Sequence, residues 1–187
     1  MKKRGGIVEE KAVKSIGKLV WEIIKIIVIA FVLSWVLRKY VIEARVIPTG
    51  SMLPTIQLED RVIVDKFFFK YFDLIRQKDI IVFRPPPTAH ATEDFIKRVI
   101  GVPGDVIEVK NQIVYVNGNA LDELYLLEQT NFDYGPVTVP QDSLFVMGDN
   151  RNNSADSREW GFLPIENVSG RTLFRYWPIN HIGVLAR

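Results

Sequence analysis

From Leu19 to Leu37 the chain reads LVWEIIKIIVIAFVLSWVL, interrupted only by Glu22, Lys25 and Ser34. No other stretch narrows the folding choices as far. The uncharged run from Ile26 to Leu37 covers only about 18 Å as a helix, short of a hydrocarbon core of about 30 Å. Adding the two preceding turns makes it long enough. Glu22 and Lys25, three apart, share a helix face and can pair, and Lys25 can extend its head toward lipid headgroups. Trp21, Trp35 and Tyr40 fall near the two ends, where aromatic belts lie. A buried core helix is rarely apolar all round. A cleaved leader needs a small-residue site after a shorter apolar region, and RKYVIEARV offers only a poor one around Ala44. A single spanning anchor over residues 19–39 is therefore expected, preceded by a cytoplasmic segment, 1–18. Lys2, Lys3, Arg4, Lys11, Lys14 and Lys18 precede it, against Arg38, Lys39 and Arg45 after it. That bias puts the N-terminus in the cytoplasm and residues 40–187 outside, on the far face of the cytoplasmic membrane.

Beyond the anchor the pattern changes to short runs rich in Val, Ile, Phe and Tyr between Gly, Pro, Asn and Asp. RVIVDKFFF, DIIVFRP, FIKRVIG, DVIEVKNQIVYVNGNAL, VTVPQDSLFVMGD and SGRTLFRYW all read as strands. Asn111-Gln112 and residues 117–119 mark hairpin turns. Helical periodicity is absent apart from a possible turn near PIENV. The expected fold is mainly β: an antiparallel sheet domain with long loops, residues 106–144 forming a small β-ribbon insertion. The aromatic run at 66–72 is either a core strand or an apolar rim that dips into the membrane.

Composition excludes several chemistries. With no cysteine there is no disulfide, thiol nucleophile or thiolate metal site. His90 and His181 show no metal-ligand spacing. A net charge of +2 gives no reason to expect nucleic acid as a partner.

VIPTGSMLPT, residues 46–55, places Ser51 in a tight turn soon after the anchor. By itself this is a solvated turn serine or a nucleophile in need of a base. Pro54 stands where a Ser-x-x-Lys pattern would carry its lysine, and Leu53 stands where a nucleophile elbow would carry its second glycine. His90 and His181 read better as surface or lightly buried residues. Lys97 remains, in an apolar strand between Ile96 and Val99, with Arg98 on the face of Ile96 and Lys97 on the other. Such a lysine either snorkels to solvent or is buried, and burial would lower its pKa and free a neutral amine. Residues 145–161 form a third segment, dense in Asp149, Asn150, Arg151, Asn152, Asn153, Ser154, Asp156, Ser157 and Arg158. Asp156 and Arg158 can pair as a clamp.

Four blocks in order, PTGSMLPT (48–55), KDIIVF (78–83), IKRVIGVPGD (96–105) and GDNRNNSADSREWG (148–161), together with the anchor, resemble the type I signal peptidases, membrane-anchored Ser/Lys proteases of bacteria. One departure is Lys78, where the second block usually opens with glycine. The short segment between the third and fourth blocks looks like the compact branch of that family. The resemblance implies Ser51 as nucleophile, Lys97 as general base, Ser154 orienting the lysine, and Asp156–Arg158 holding the loop. It places the oxyanion against the backbone N–H of Ser51 and the hydroxyl of Thr49. The implied substrates are precursor proteins with signal peptides, docked as an extended strand. Their small −1 and −3 residues would fit pockets narrowed by Ile47, Met52 and Ile96. It implies a lipid bilayer as the second partner, and neither metal nor cofactor. Two rivals are a self-cleaving Ser/Lys regulator of the SOS-repressor type and a non-catalytic membrane-tethered binding module.

Overall fold

The computed structural model describes residues 4–71 and 75–185, with side chains from Gly17 onward. The chain divides after Val41 into two compact units. In the first, a helix (α1, Arg4–Val36) runs into a π-helical turn, Leu37–Val41. Gly17–Val41 is long and apolar enough to cross a membrane, with mean hydropathy 2.3, and its apolar side chains are exposed all round. Lys25 Nζ donates to Glu22 at 2.7 Å, as the three-residue spacing requires. At the other end Trp35 and Tyr40 meet edge to face, and the Lys39 ammonium lies 4.9 Å and 5.2 Å from their centroids. The Lys39 contacts have cation–π geometry.

The second unit holds two antiparallel sheets. The larger comprises β1 (Ile42–Val46), β2 (Arg61–Asp65), β3 (Ile80–Phe83), β4 (Phe95–Gly101), β9 (Ser143–Met147), β10 (Leu163–Pro164), β11 (Val168–Trp177) and β12 (Gly183–Val184). Their order is β1-β2-β11-β3-β4-β9-β10, with β12 on β11. The smaller sheet, order β7-β6-β5-β8, comprises β5 (Val106–Lys110), β6 (Ile113–Val116), β7 (Asn119–Ala120) and β8 (Tyr134–Thr138). Both expected hairpins are there. Asn111 and Gln112 (φ 51° and 69°) join β5 to β6, and Asn117-Gly118 (54° and 79°) join β6 to β7. Both loops have the positive φ at each central residue that a type I′ turn needs.

The large sheet buries both faces, which is why β3 reads as an unbroken apolar run rather than an alternation. Ile80 and Val82 join Ile47, Met52, Ile56, Val62, Val64 and Ile96 in one cluster, while Ile81 and Phe83 join Val99, Leu144, Val146, Trp160 and Leu163 in another. A third cluster packs Ile107, Val109, Val114 and Val116 of the small sheet on Phe145 and Met147.

Three departures from the sequence reading have local causes. RVIVDKFFF is not one strand: β2 stops at Asp65, whose carboxylate accepts the backbone N–H groups of Phe67, Phe68 and Phe69 at 2.8–3.0 Å. That capping starts a one-turn helix (α2, Phe68–Tyr71), with Phe69 buried and Phe68 and Tyr71 exposed. The aromatic run thus matches neither alternative throughout, and Phe72 lies outside the described residues. VTVPQDSLFVMGD is two strands in different sheets, parted by a turn in which Ser143 N donates to the carbonyl of Pro140. A second one-turn helix (α3, Ser157–Trp160) sits inside the polar segment, capped by Asp156.

Candidate active site

The segment bearing Ser51 is a loop closed at its base. Ile47 N donates to the Asp60 carbonyl at 3.0 Å, and Glu59 N donates to the Ile47 carbonyl at 2.9 Å. Arg175 braces the loop through the Thr55 carbonyl and, at its base, the Asp60 carboxylate, both at 3.0 Å. Inside the loop Met52 and Ile56 are fully buried in the core, so Ser51 is anchored by apolar neighbours one residue on and five residues on.

Lys97 sits on β4, between β3 and β9. It is 4% exposed, so it is buried rather than snorkelled. Its Nζ donates to Ser51 Oγ at 2.6 Å and lies 5.2 Å from the Phe95 ring centroid. No carboxylate hydrogen-bonds to it among the described residues. Burial pushes its pKa down from 10.5 to about 8; nearby Asp156 pulls it back up, and Arg158 opposes Asp156. A substantial neutral fraction at mildly alkaline pH follows, together with a lone pair for the serine proton.

Both residues line a cleft of about 430 Å³ that also takes in Ile47, Thr49, Ile96 and Ser154. Met52 is not in its wall; it lies in the core cluster that contains Ile47 and Ile96. Ser154 Oγ is buried with no hydrogen-bond partner among the described residues. Thr49 is exposed along the cleft. Asp156 and Arg158 do pair, both oxygens being taken at 2.7 Å by Nε and Nη2. Asp156 also accepts Gly148 N at 3.0 Å, and Arg158 donates to the Arg151 carbonyl at 2.8 Å, so the pair closes the 148–158 loop on itself.

Several supporting residues escaped the sequence reading. Gly148 is required by close approach: a Cβ there would run into the Ser154 side chain and the Ser51 carbonyl. Asn150 ties the two loops together, its N donating to the Ser51 carbonyl at 2.9 Å and its Nδ2 to the Gly50 carbonyl at 3.1 Å. Arg98 and Asp149, both buried, make a two-pronged pair at 2.8 and 2.7 Å, and Thr55 adds a 2.6 Å bond to the same carboxylate. The Arg98 guanidinium stacks 3.9 Å from the centroid of Tyr125, whose hydroxyl donates to Glu123. Glu123 in turn holds Arg151 through both of its oxygens. The one legible signal was a second cation beside Lys97 in an apolar strand, since a buried arginine demands a carboxylate. Lys78 has φ 71°, and its carbonyl accepts from Arg98 at 3.0 Å. A turn remote in sequence is therefore part of this support.

A serine hydroxyl held against a buried lysine amine at the floor of a cleft is the arrangement of a serine hydrolase whose base is lysine. Residues 20–177 match the family described as signal peptidase, peptidase S26, and the chain belongs to that family. It is 46% identical over 167 residues to a probable signal peptidase I-2 of Synechocystis sp. (88% of this chain, 76% of that one) and 45% identical over 167 residues to a signal peptidase I of Leptolyngbya laminosa (87% and 82%). A crystal structure of a signal peptidase I from Enterococcus faecalis V583 aligns with TM-score 0.47 and 33% identity, over 52% of this chain and 96% of that one. The chain is thus a serine endopeptidase that removes signal peptides from precursor proteins, and both rival readings fall. Its apolar N-terminal helix is consistent with a membrane anchor.

Proposed function

We propose that Ser51 is the nucleophile and Lys97 the general base and acid, and the observation that carries this is the 2.6 Å contact between Nζ and Oγ. Neutral Lys97 takes the serine proton as Oγ adds to the scissile carbonyl. The oxyanion is met by the backbone N–H of Ser51 and the Thr49 hydroxyl; such donors typically contribute about 2.7–4 kcal/mol each. The lysine ammonium then gives its proton to the departing amine, which leaves as the N-terminus of the mature protein. Water, deprotonated by the same amine, attacks the ester on Ser51; the C–Oγ bond breaks as the ammonium returns its proton to Oγ, and the signal peptide leaves as a carboxylate. Ser154 aims the ammonium: its buried, unpartnered hydroxyl is the kind of acceptor a three-donor group needs. The Asp156–Arg158 pair holds the loop that presents it. No step calls for a metal or cofactor.

The precursor lies extended between the segment before Ser51 and the strand bearing Lys97. Two open edges support this. β1 pairs with β2 alone, and β9 pairs with β4 only from Arg98 onward, which leaves Phe95–Lys97 open on that side. Ile47 and Ile96 narrow the cleft for small −1 and −3 residues, with Met52 as the packing behind them. The Lys and Arg bias around the anchor puts residues 1–18 in the cytoplasm, 19–39 in the bilayer and 40–187 outside the cytoplasmic membrane, with 106–144 as a β-ribbon insertion. Lys97→Arg keeps a long cation that cannot deprotonate. It should abolish cleavage of a fluorogenic signal-peptide substrate while circular dichroism stays unchanged. A folded arginine variant within tenfold of the parent would sink the dyad.

A further inference from the structure

We infer that Arg45 and Asp94 form a charge latch across the cleft that disfavours charged precursor residues just ahead of the −3 position; this deepens the reading above and rests on it. Arg45, on the edge strand β1, donates from Nη2 to Asp94 at 3.0 Å and from Nε to Glu43 at 2.6 Å, while Lys66 holds the other oxygen of Glu43 at 3.1 Å. Asp94 immediately precedes β4, so the ion pair joins the two open edges between which an extended peptide lies. Arg45 and Asp94 line the same cleft as Ser51 and Lys97. Asp94 stands three residues before Lys97, about 10 Å along an extended strand. A peptide whose scissile carbonyl sits at Ser51 therefore brings its fourth or fifth residue back to the latch. The walls nearer the serine are already taken by Ile47 and Ile96.

The chemistry sets the preference. The Arg45 and Asp94 side chains are 38% and 25% exposed, so the pair is weak enough to be displaced by a competing charge. A precursor carboxylate competes with Asp94 for Arg45 and strands the aspartate. A precursor ammonium competes for Asp94 and faces the guanidinium. A small neutral residue disturbs neither partner.

The test compares kcat/KM on three soluble peptides that differ only in carrying Ser, Asp or Lys at −5. The parent should prefer Ser over both charged peptides by about two- to fivefold, the range of exposed ion pairs, and added salt should shrink the gap. Arg45→Glu should favour the Lys peptide over the Asp peptide, Asp94→Arg should do the reverse, and the combined reversal should restore the parental order. Only ratios within one variant are read, so a general loss of activity does not disturb the outcome. Should either reversal fail to fold by circular dichroism, Arg45→Met and Asp94→Asn serve: each leaves one bare charge, so Arg45→Met should favour the Lys peptide over the Asp peptide and Asp94→Asn should do the reverse, by smaller factors than the reversals. A Lys-to-Asp ratio that stays at the parental value in every variant overturns the latch. Ser51→Ala, run alongside, separates the two failures: if it still cleaves, the site assignment falls, and if it is inert while the ratios stay fixed, only the latch falls.

Discussion

Lys97 and Arg98 are consecutive residues of one strand, both cationic, 4% and 1% exposed, and the fold treats them in opposite ways. Arg98 meets a carboxylate through two hydrogen bonds, an aromatic face and a backbone carbonyl. Lys97 meets a serine hydroxyl and lies over the Phe95 ring, with the carboxylate that most raises its pKa, Asp156, already shared between Arg158 and Gly148. The compensated cation stiffens the floor beneath two loops. The uncompensated one can lose its proton. A permanent charge suits the first position and a titratable one suits the second, which is why arginine and lysine are not interchangeable here.

The largest test of that contrast is stability. Arg98→Met leaves Asp149 buried without its partner and should cost about 3–5 kcal/mol in denaturant unfolding. Lys97→Met should do the opposite at neutral pH. The folded-state pKa of Lys97 is depressed, so its share of stability is complete above 10.5 and is lost as pH falls from there to about 8. Below that range the parent carries a penalty of about 3 kcal/mol, which methionine removes, less about 1 kcal/mol for the lost bond to Ser51. The Lys97→Met protein should thus be inactive yet more stable by about 2 kcal/mol at pH 7, with the advantage lost before pH 10.5 and reversed above it by the missing Ser51 bond. Equal destabilisation by both methionines would break the comparison.

Smaller effects are expected at Ser154 and Thr49, the groups proposed to aim the amine and meet the oxyanion. Ser154→Ala and Thr49→Ala should each lower kcat by roughly ten- to a thousandfold with KM little changed, while Thr49→Ser stays close to the parent. A Thr49→Ala protein at parental kcat would move the oxyanion role elsewhere.

The smallest effect is a displacement of the pH profile. Only the neutral amine accepts the serine proton, so kcat/KM should rise with pH through about 8 and then level. Arg158 holds the Lys97 pKa down and Asp156 holds it up, so Arg158→Met should move the inflection to higher pH. An unmoved inflection, in a variant that still folds, would mean that Arg158 acts only as a brace.

Much of this site was legible in local pattern. Local pattern singles out Ser51 in a proline-flanked turn, a lysine inside an apolar strand and a polar segment with an Asp-x-Arg spacing as candidates, while their roles come from the resemblance of four ordered blocks to a known family. What local pattern could not carry was pairing at a distance. Arg98 and Asp149 are 51 residues apart, and Glu123 and Arg151 are 28 apart. Nothing in the spacing of either pair says that they meet. Asp65 shows the same limit at short range: a carboxylate after a strand is unremarkable until its three N–H contacts turn an aromatic run into a helix.

The sequence by itself determined the elements whose cause is local. The apolar run makes a long exposed helix because its side chains have no polar face, and Asn-Gln and Asn-Gly make tight hairpins because their residues tolerate positive φ. Tertiary structure alone decided the state of Lys97. A lysine on a strand keeps its ordinary pKa where its amine reaches water, and Lys97 is desolvated because the Ser51 loop and the Phe95 ring cover an amine whose strand is paired with β3 on the other side. Strand order is a global property of eight segments, set by which pairings bury the most surface together, so only the assembled fold buries this cation and depresses its pKa.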